Sequence, residues 1–376
     1  MEPMVQDITQ QILYMEVFNM KEHIISISKI IVFLILFFIL CITMNYLCNP
    51  VISGDTEIVN GFYGERENSL DVVYLGGSAS FVYYQPLKAY KEYGITSYDF
   101  GANTMQAELY PYMINEVYKK QNPKLLIIDA RVFQYRDSEQ PPTEVAYRNV
   151  LSATPLSINK AKFIEKNVRR VLKEDNTLSY YFSFIKFHSA EGKYSKTQAL
   201  KMMTHKFKHP YKGFMFIPKV EKEEYIDYET DEVQAPSIDT IFVLNELLDT
   251  LKEKDTKVLF VVSPYVERKE DKKIYNYVEK RVKDAGFDFI DANDYRDEMK
   301  INYSTDFYNP SHVNIYGSNK YTDFINNYIK NNLNLIDHRK EKVYDSWNEL
   351  IEKWDADKQI ISDETDKEKE LIEKND

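Results

Sequence analysis

Residues 124–130, KLLIIDA, constrain the fold more than any other part of the chain. Their apolar side chains run without the alternation of a half-exposed strand, which is typical of a strand covered on both faces. Four further segments of strand length occur, and stretches with helical spacing separate them. The five predicted strands are residues 72–75, 95–101, 124–130, 257–264 and 287–293. This alternation predicts an α/β fold with a flavodoxin-like parallel five-stranded sheet and helices on both faces.

A long segment, residues 134–235, interrupts this pattern inside a predicted domain of residues 70–335. It is too long for a plain loop in a compact domain, so we expect a large, mainly helical insertion. Residues 151–220 carry 14 basic and 4 acidic side chains, a balance of +10, whereas the chain as a whole carries −11. We expect the insertion to form a cap beside a cleft at Ser78, which follows the first predicted strand, with an outward basic patch for an anionic polymer or the membrane surface. The patch residues are Lys160, Lys166, Arg169, Arg170 and Lys173.

Residues 30–48 contain no charged side chain over 19 positions, which is long enough to span a bilayer as a helix. Lys21 and Lys29 precede this run, and the connector after it is mainly acidic. The positive-inside rule therefore predicts a single-pass anchor in the cell membrane, with residues 1–29 as a cytoplasmic lead and the body outside. Residues 1–19 are interpreted as an over-extended start or a disordered lead.

No signal for a cofactor is found. Both cysteines lie in or beside the apolar run, so a thiolate metal site is excluded, and the chain lacks a phosphate-binding glycine loop. His205 and His209 are four residues apart without a neighbouring carboxylate, and we interpret their segment as a basic surface rather than a metal site. For an extracytoplasmic insertion, an anionic surface polymer or lipid is a better partner than nucleic acid.

Three segments follow predicted strands, and the carboxyl ends of parallel strands meet at one edge of a sheet. Gly77 and Ser78 follow the first strand, Gly101 and Asn103 follow the second, and His312 follows the last. A serine becomes a nucleophile when an imidazole can take its proton. Backbone N–H groups of Ser78 and Gly101, with the Asn103 amide, are candidates for binding an oxyanion, and Gly77 joins this group. A turn at Gly77 and a surface histidine are the simpler alternatives.

These segments together resemble the SGNH (GDSL-type) hydrolase and acyltransferase superfamily. LGGSAS resembles its first block, with Ser78 as nucleophile; DFGANTMQ resembles its glycine block, with Gly101 as oxyanion donor; and NPSHVN resembles its last block, with His312 as base. The resemblance covers roughly residues 70–135 and 255–335. It implies an ester hydrolase or O-acyltransferase.

The resemblance is strongest to a membrane-anchored, extracytoplasmic subset, similar to alginate O-acetylation and teichoic-acid D-alanylation proteins. Such proteins commonly accompany membrane-bound O-acyltransferases. The resemblance therefore implies a cell-surface polymer or an acyl donor as partner, with acetyl or D-alanyl groups as the acyl groups.

Two positions depart from the family pattern. The family's Asn block is not recognisable, so Arg131 or Asn103 has to replace it. The Asp-x-x-His block holds Asn309 in place of Asp, and Asp306, six residues before His312, is the predicted carboxylate that orients the imidazole. Asn309 is the alternative. Because of these departures, a catalytically inactive SGNH-like surface protein that scaffolds a polymer-modification assembly remains the second hypothesis.

The carboxyl-terminal region, residues 336–376, combines an amphipathic piece with a charge-rich end. Residues 344–354 contain Trp347 and Trp354 at helical spacing, which predicts a helix packed on the body. The charged residues that follow are predicted to be disordered.

Overall fold

The computed structural model of the chain describes residues 2–48, 55–134, 142–188 and 196–375. The strands are β1 (Val72–Gly76), β2 (Ser97–Gly101), β3 (Leu125–Asp129), β4 (Lys257–Val262), β5 (Asp288–Asp291), β6 (Phe307–Asn309) and β7 (His312–Val313). The helices before β4 are α1 (Glu2–Leu47), α2 (Asp55–Gly64), α3 (Ser78–Phe81), α4 (Pro86–Tyr93), α5 (Leu109–Lys120), α6 (Glu144–Leu151), α7 (Ile158–Phe163), α8 (Leu178–Tyr181), α9 (Phe184–Phe187), α10 (Lys196–Met203) and α11 (Ile238–Lys252). The helices after β4 are α12 (Lys269–Asp284), α13 (Arg296–Met299), α14 (Ile315–Asn332) and α15 (Asp345–Asn375).

A parallel five-stranded sheet forms the centre of the body, in the order β2-β1-β3-β4-β5. All four neighbouring pairs are parallel. This is the strand order of flavodoxin-like folds, so the chain reverses direction across the sheet between β1 and β3. The α/β class and the five predicted strands are confirmed.

Helices cover both faces of this sheet. Tyr74 and Asp99 are register partners and therefore point to the same face. On that face the Tyr74 hydroxyl hydrogen-bonds the hydroxyl of Tyr321 in α14 at 2.8 Å. On the opposite face Phe100 stacks on Phe62 of α2, with ring centroids 3.9 Å apart. The sheet is thus enclosed, as its apolar strands require.

The insertion is helical only in its first part. Helices α6 to α10 are short, and α7 continues as a π-helix over Ile164–Arg169. From 206 to 235 the chain has neither helix nor strand. This stretch is tied to the body by backbone bonds, including one from Ile315 N to Ile217 O at 3.1 Å. The prediction of a mainly helical insertion therefore fails for its last third, which runs as an extended strap toward α14.

The predicted outward basic patch does not form as a unit. Lys160 is only 1% exposed and points inward. Lys166 pairs with Glu246, and both arginines of the patch pair with Glu165. Lys173 is exposed. The predicted outward orientation is confirmed for Lys166, Arg169, Arg170 and Lys173, which are exposed, and is wrong for Lys160, which turns into the core. Three of the exposed cations are paired with acidic neighbours, which charge counting along the chain cannot detect.

The predicted basic surface around the two histidines is also wrong at its carboxyl end. His209 is buried, and its Nδ1 accepts a hydrogen bond from Gly213 N at 2.9 Å. The nearby Lys212 is buried as well and pairs with Glu65 at 2.9 Å. This stretch packs into the body because its polar groups find partners there.

Helix α1 is continuous from Glu2 to Leu47, so the alternative of a disordered lead is wrong. Its part Met20–Leu47 is long and apolar enough to span a membrane. Side chains from 20 to 40 are exposed, and those from 41 to 47 are partly covered by the body. This pattern is consistent with single-pass membrane anchoring.

The predicted disordered tail is part of helix α15, which runs to Asn375. Trp347 and Trp354 are buried, as expected for a helix packed on the body. Beyond them, Tyr316 of α14 donates its hydroxyl proton to Asp366 at 2.8 Å, and Lys369 lies 3.5 Å above the Tyr316 ring. The tail is ordered because these contacts fix one face of a helix whose other face is charged.

Candidate active site

The loop after β1 places Ser78 at the carboxyl edge of the sheet. Gly76 ends the strand, and a Cβ there would lie 2.7 Å from Cβ of Asp129, so a side chain is excluded by steric contact. Gly77 is extended (φ −85°, ψ −151°) and directly precedes Ser78, the first residue of α3. The close approach of Gly76 to Asp129 therefore places Ser78, which is half-buried, directly at the carboxyl edge of the sheet.

A small hairpin brings His312 to the same place. Strands β6 and β7 pair antiparallel, and Asn309 lies opposite His312. Ser78 Oγ and His312 Nε2 are 2.7 Å apart, within hydrogen-bond distance. Tyr308 stacks on the imidazole with centroids 5.3 Å apart, which limits rotation of the ring. The two side chains that the sequence predicts to meet are thus adjacent although 234 positions separate them.

Asn309 fixes the tautomer of the imidazole. Its Oδ1 accepts a hydrogen bond from Ser311 N at 2.9 Å, which orients the amide group. The same oxygen lies 3.0 Å from Nδ1 of His312. Because an amide oxygen only accepts, Nδ1 must carry the proton, and Nε2 is left to accept the proton of Ser78.

Asp306 does not contact His312, so the prediction that it orients the ring is wrong. Its carboxylate accepts hydrogen bonds from Asn302 N at 2.8 Å and from Lys320 Nζ at 2.6 Å. The hairpin register gives the reason: the backbone oxygen of Asp306 accepts from Asn314 N at 2.9 Å, so Asp306 lies at the base of the hairpin. Its role is to hold the hairpin to α14.

Below the serine, the end of β3 and the 3-10 turn after it contribute a buried carboxylate and a buried guanidinium. Asp129 accepts hydrogen bonds from the backbone N–H groups of Arg131 and Gly77. Burial raises the pKa of Asp129, and the nearby Arg131 charge opposes that shift. The Arg131 guanidinium donates to Ser311 O at 2.9 Å and lies 4.2 Å from the centroid of the Tyr265 ring. The hairpin and the loop that carries Ser78 are therefore both anchored to the end of β3.

The imidazole is held in its neutral form. Burial, and secondarily the positive charge of Arg131, lower the pKa of His312 to about 3. At neutral pH the ring is thus available as a proton acceptor. The imidazolium that would form has an amide oxygen, rather than a carboxylate, beside Nδ1.

A cavity of about 170 Å³ opens at this site. Its lining consists of Gly77, Ser78, Ala79, Thr104, Met105, Asp129, Arg131, Val132, Gln134, Ser311 and His312. Gly101 and Asn103 are outside this lining. Gly101 is the last residue of β2, where a Cβ would lie 1.6 Å from Gly76 O. A glycine is therefore needed at this position because the strands β1 and β2 approach closely there. Asn103 lies half-buried just before Thr104.

The sequence reasoning missed Asp129, Thr104 and Gln134. For Asp129 the signal was present, because a carboxylate that ends a buried apolar strand lies at the ligand-binding edge of a parallel sheet. Thr104 and Gln134 follow strands too, but neither residue type is distinctive. Among the residues that the structure describes, no group of three or more His, Cys, Asp or Glu side chains could hold a metal ion.

Comparisons with known proteins identify no relative of this chain. No family model matches the chain, and neither curated proteins nor solved structures give a match.

Proposed function

We propose that this protein is a membrane-anchored, extracytoplasmic serine esterase or O-acyltransferase that acts on acyl groups of a cell-surface polymer. The observation that carries the proposal is the 2.7 Å contact between Ser78 Oγ and His312 Nε2. Nδ1 is the protonated nitrogen, so the ring accepts the serine proton without a change of tautomer.

In the first half-reaction, Ser78 Oγ attacks the carbonyl carbon of the acyl ester while Nε2 of His312 takes the hydroxyl proton. The tetrahedral intermediate collapses, the C–O bond to the leaving alcohol breaks, and His312 returns the proton to that alkoxide. The acyl group is then esterified to Ser78. In the second half-reaction, water or a polymer hydroxyl attacks this ester while Nε2 of His312 takes its proton, the bond from the acyl carbon to Ser78 Oγ breaks, and His312 returns the proton to Oγ. Water as acceptor gives an esterase, and a hydroxyl gives a transferase.

The cavity lining contains one carboxyl group, Asp129, and one cation, Arg131, and the cation next to His312 favours a negative group on the substrate. Arg131 lines the cavity, and its charge helps to lower the pKa of His312. A negative group on the substrate, or the oxyanion of the intermediate, would offset this charge where little water competes. Polymers with phosphate or carboxylate groups next to their acyl esters fit this requirement. Acetyl and D-alanyl esters are small enough for a cavity of about 170 Å³.

The anchor supports a location at the cell surface. Met20–Leu47 has the length and hydropathy of a membrane span. Lysines before the span and acidic residues after it favour an orientation with the body outside. A membrane-bound O-acyltransferase is the partner that the family resemblance implies, since it would deliver activated acyl groups to this surface.

The test is covalent labelling of the full chain in detergent or nanodiscs with a fluorophosphonate probe. We expect labelling of the wild type, loss of the label in Ser78→Ala, and slower labelling in His312→Ala. Ser311→Ala is the matched control, because it removes an exposed hydroxyl beside the base. Labelling that persists in Ser78→Ala would contradict the assignment of the nucleophile.

A specific observation favours a second candidate, an inactive SGNH-like protein that binds or scaffolds a polymer-modification assembly. The amide of Asn309 replaces a carboxylate beside Nδ1, so imidazolium is poorly stabilised. If the folded wild type takes no label between pH 5 and 9 but binds an anionic polymer, the binding function replaces the enzymatic one.

A further inference from the structure

A second cavity, of about 290 Å³, lies between α1 and the insertion. It shares no lining residue with the Ser78 site. Its lining consists of Phe38, Ile42, Asn45, Tyr46, Thr154, Pro155, Leu156, Lys160, Tyr181, Phe182, Met203 and His205. The four residues from α1 are spaced four, three and one apart, so they share one face of the helix.

The exposure of α1 indicates where this cavity lies relative to the membrane. Residues 20–40 are exposed, and residues 41–47 are partly covered by the body. The 21 exposed residues extend about 32 Å at about 1.5 Å per residue, which matches a hydrocarbon core of about 30 Å. The cavity begins at Phe38, one turn before the covered part, so it opens where the helix leaves the membrane.

The walls of the cavity are fixed, and its rim is apolar. Asn45 accepts a hydrogen bond from Ser183 N, and Thr43 contacts the sulfur of Met203, so α1 is tied to the insertion on both sides. Leu156 lines the cavity and is 38% exposed, and Ile158 of the same segment is 78% exposed. Exposed apolar side chains beside a membrane span are suited to contact with lipid.

One buried cation points to the ligand. Lys160 is almost fully buried, and its Nζ donates to the carbonyl oxygens of Leu151 at 2.6 Å and Thr154 at 3.1 Å. An ammonium group has three N–H donors, so one donor has no acceptor in these bonds. Among the described residues no carboxylate lies within ion-pair distance of Lys160. Burial lowers the pKa of Lys160 to about 7, and the Glu116 carboxylate opposes this shift, so an anion bound at Nζ would favour the charged form of the lysine.

We propose that this cavity binds one anionic phospholipid of the surrounding membrane, with its phosphate at Lys160 and an acyl chain along Phe38 and Ile42. A volume of about 290 Å³ holds the headgroup-proximal part of such a lipid, and the rest of the chains stays in the bilayer. The lipid replaces water at an apolar surface and supplies the missing anion to the lysine. The proposal depends on the membrane span and is independent of the chemistry at Ser78.

The experiment measures lipid binding to the full chain in a mild detergent by native mass spectrometry. Dioctanoyl phosphatidylglycerol is compared with dioctanoylglycerol, which has the same chains and no phosphate. We expect one phosphatidylglycerol molecule per chain and at least about tenfold weaker binding of dioctanoylglycerol, the factor that one hydrogen bond to a charged group provides. Lys160→Met removes this preference. Lys166→Met, a nearby lysine paired with Glu246, keeps it.

A second variant keeps the test decisive if Lys160→Met fails to fold. Leu156→Trp fills the mouth of the cavity and leaves Lys160 in place, so it should lower binding of phosphatidylglycerol without changing fluorophosphonate labelling. Equal binding of the two lipids by the wild type would overturn the proposal. So would unchanged binding of phosphatidylglycerol in Lys160→Met or, if that variant does not fold, in Leu156→Trp. Displacement of the lipid by equimolar inorganic phosphate would also overturn it, in favour of a soluble anion.

Discussion

Replacing Asn309 by Asp places a carboxylate next to the imidazole without changing the size of the side chain. Oδ1 of Asn309 is 3.0 Å from Nδ1 of His312 and also accepts from Ser311 N, so the new carboxylate keeps both contacts. At an effective dielectric constant of about 20, two unit charges about 4 Å apart attract by about 4 kcal/mol. This corresponds to about three pKa units.

Asn309→Asp should therefore raise the pKa of His312 from about 3 toward its ordinary value, since the added charge opposes the effects of burial and of Arg131. If the transition state carries most of the imidazolium charge, about 4 kcal/mol accelerates attack by Ser78 on the order of 10³-fold. Part of this gain is lost in burying the carboxylate, so an increase of about 10- to 1000-fold is expected.

The assay is the second-order rate constant of fluorophosphonate labelling between pH 4 and 9. In the wild type His312 stays neutral over this range, so the rate should show no acidic limb from this group. In Asn309→Asp the rate should be higher at pH 8 and fall below about pH 6, because the ring with the raised pKa becomes protonated there. Asn309→Ala is the control, with slower labelling and no acidic limb. A folded Asn309→Asp variant with neither a faster rate nor an acidic limb would refute the reasoning.

Three further predictions concern stability. Asp306→Ala should lower the free energy of unfolding by about 2–4 kcal/mol, measured by denaturant titration, because a buried carboxylate bonded to Asn302 and Lys320 is lost. The labelling rate of the folded variant should stay normal, and a large loss of labelling would restore a catalytic role for Asp306. Glu267→Gln should raise the melting temperature more at pH 9 than at pH 5. Burial raises the pKa of Glu267 to about 10 in the folded protein, whereas the ordinary pKa of a glutamate in an unfolded chain is about 4.3. Between these values only the unfolded state deprotonates, so the wild type loses stability as the pH rises. An equal rise in melting temperature at both pH values would contradict this cause. Trp354→Ala should lower the free energy of unfolding by about 3–5 kcal/mol, measured by denaturant titration, and an unchanged midpoint would show that α15 does not pack on the body.

The sheet could be predicted from the sequence because each strand is recognisable from its own short run of residues. Residues 125–128 are Leu, Leu, Ile and Ile, and such a run has few other solutions in a chain with helical segments on both sides. Ser78 and His312 could be paired for the same reason, since topology alone brings the ends of parallel strands to one edge. These inferences need only that the strands run parallel, which the alternating pattern predicts.

The errors arose where a side chain's direction decides the outcome. Asp306 is close to His312 in sequence, but the hairpin register places it at the opposite end of the small sheet from Asn309. Lys160 counts as one charge in a basic segment, whereas in the fold its stem is buried and its ammonium bonds two carbonyl oxygens. The charge-rich composition also led to the wrong prediction of disorder for the end of α15, because its charged residues surround a narrow helix face that contacts Tyr316.

The hydrogen bond between Ser78 and His312 closes a loop of 234 positions, and this has a consequence for biosynthesis. Such a contact forms late, because the entropy of closing a long loop must be offset by contacts already made within the sheet. Ser78 therefore contacts His312 only when β4, β5 and the hairpin have been assembled onto the first three strands. Under the proposed function, an incompletely folded chain carries an ordinary, unreactive hydroxyl at this position, so labelling of Ser78 would report assembly of the sheet and the hairpin.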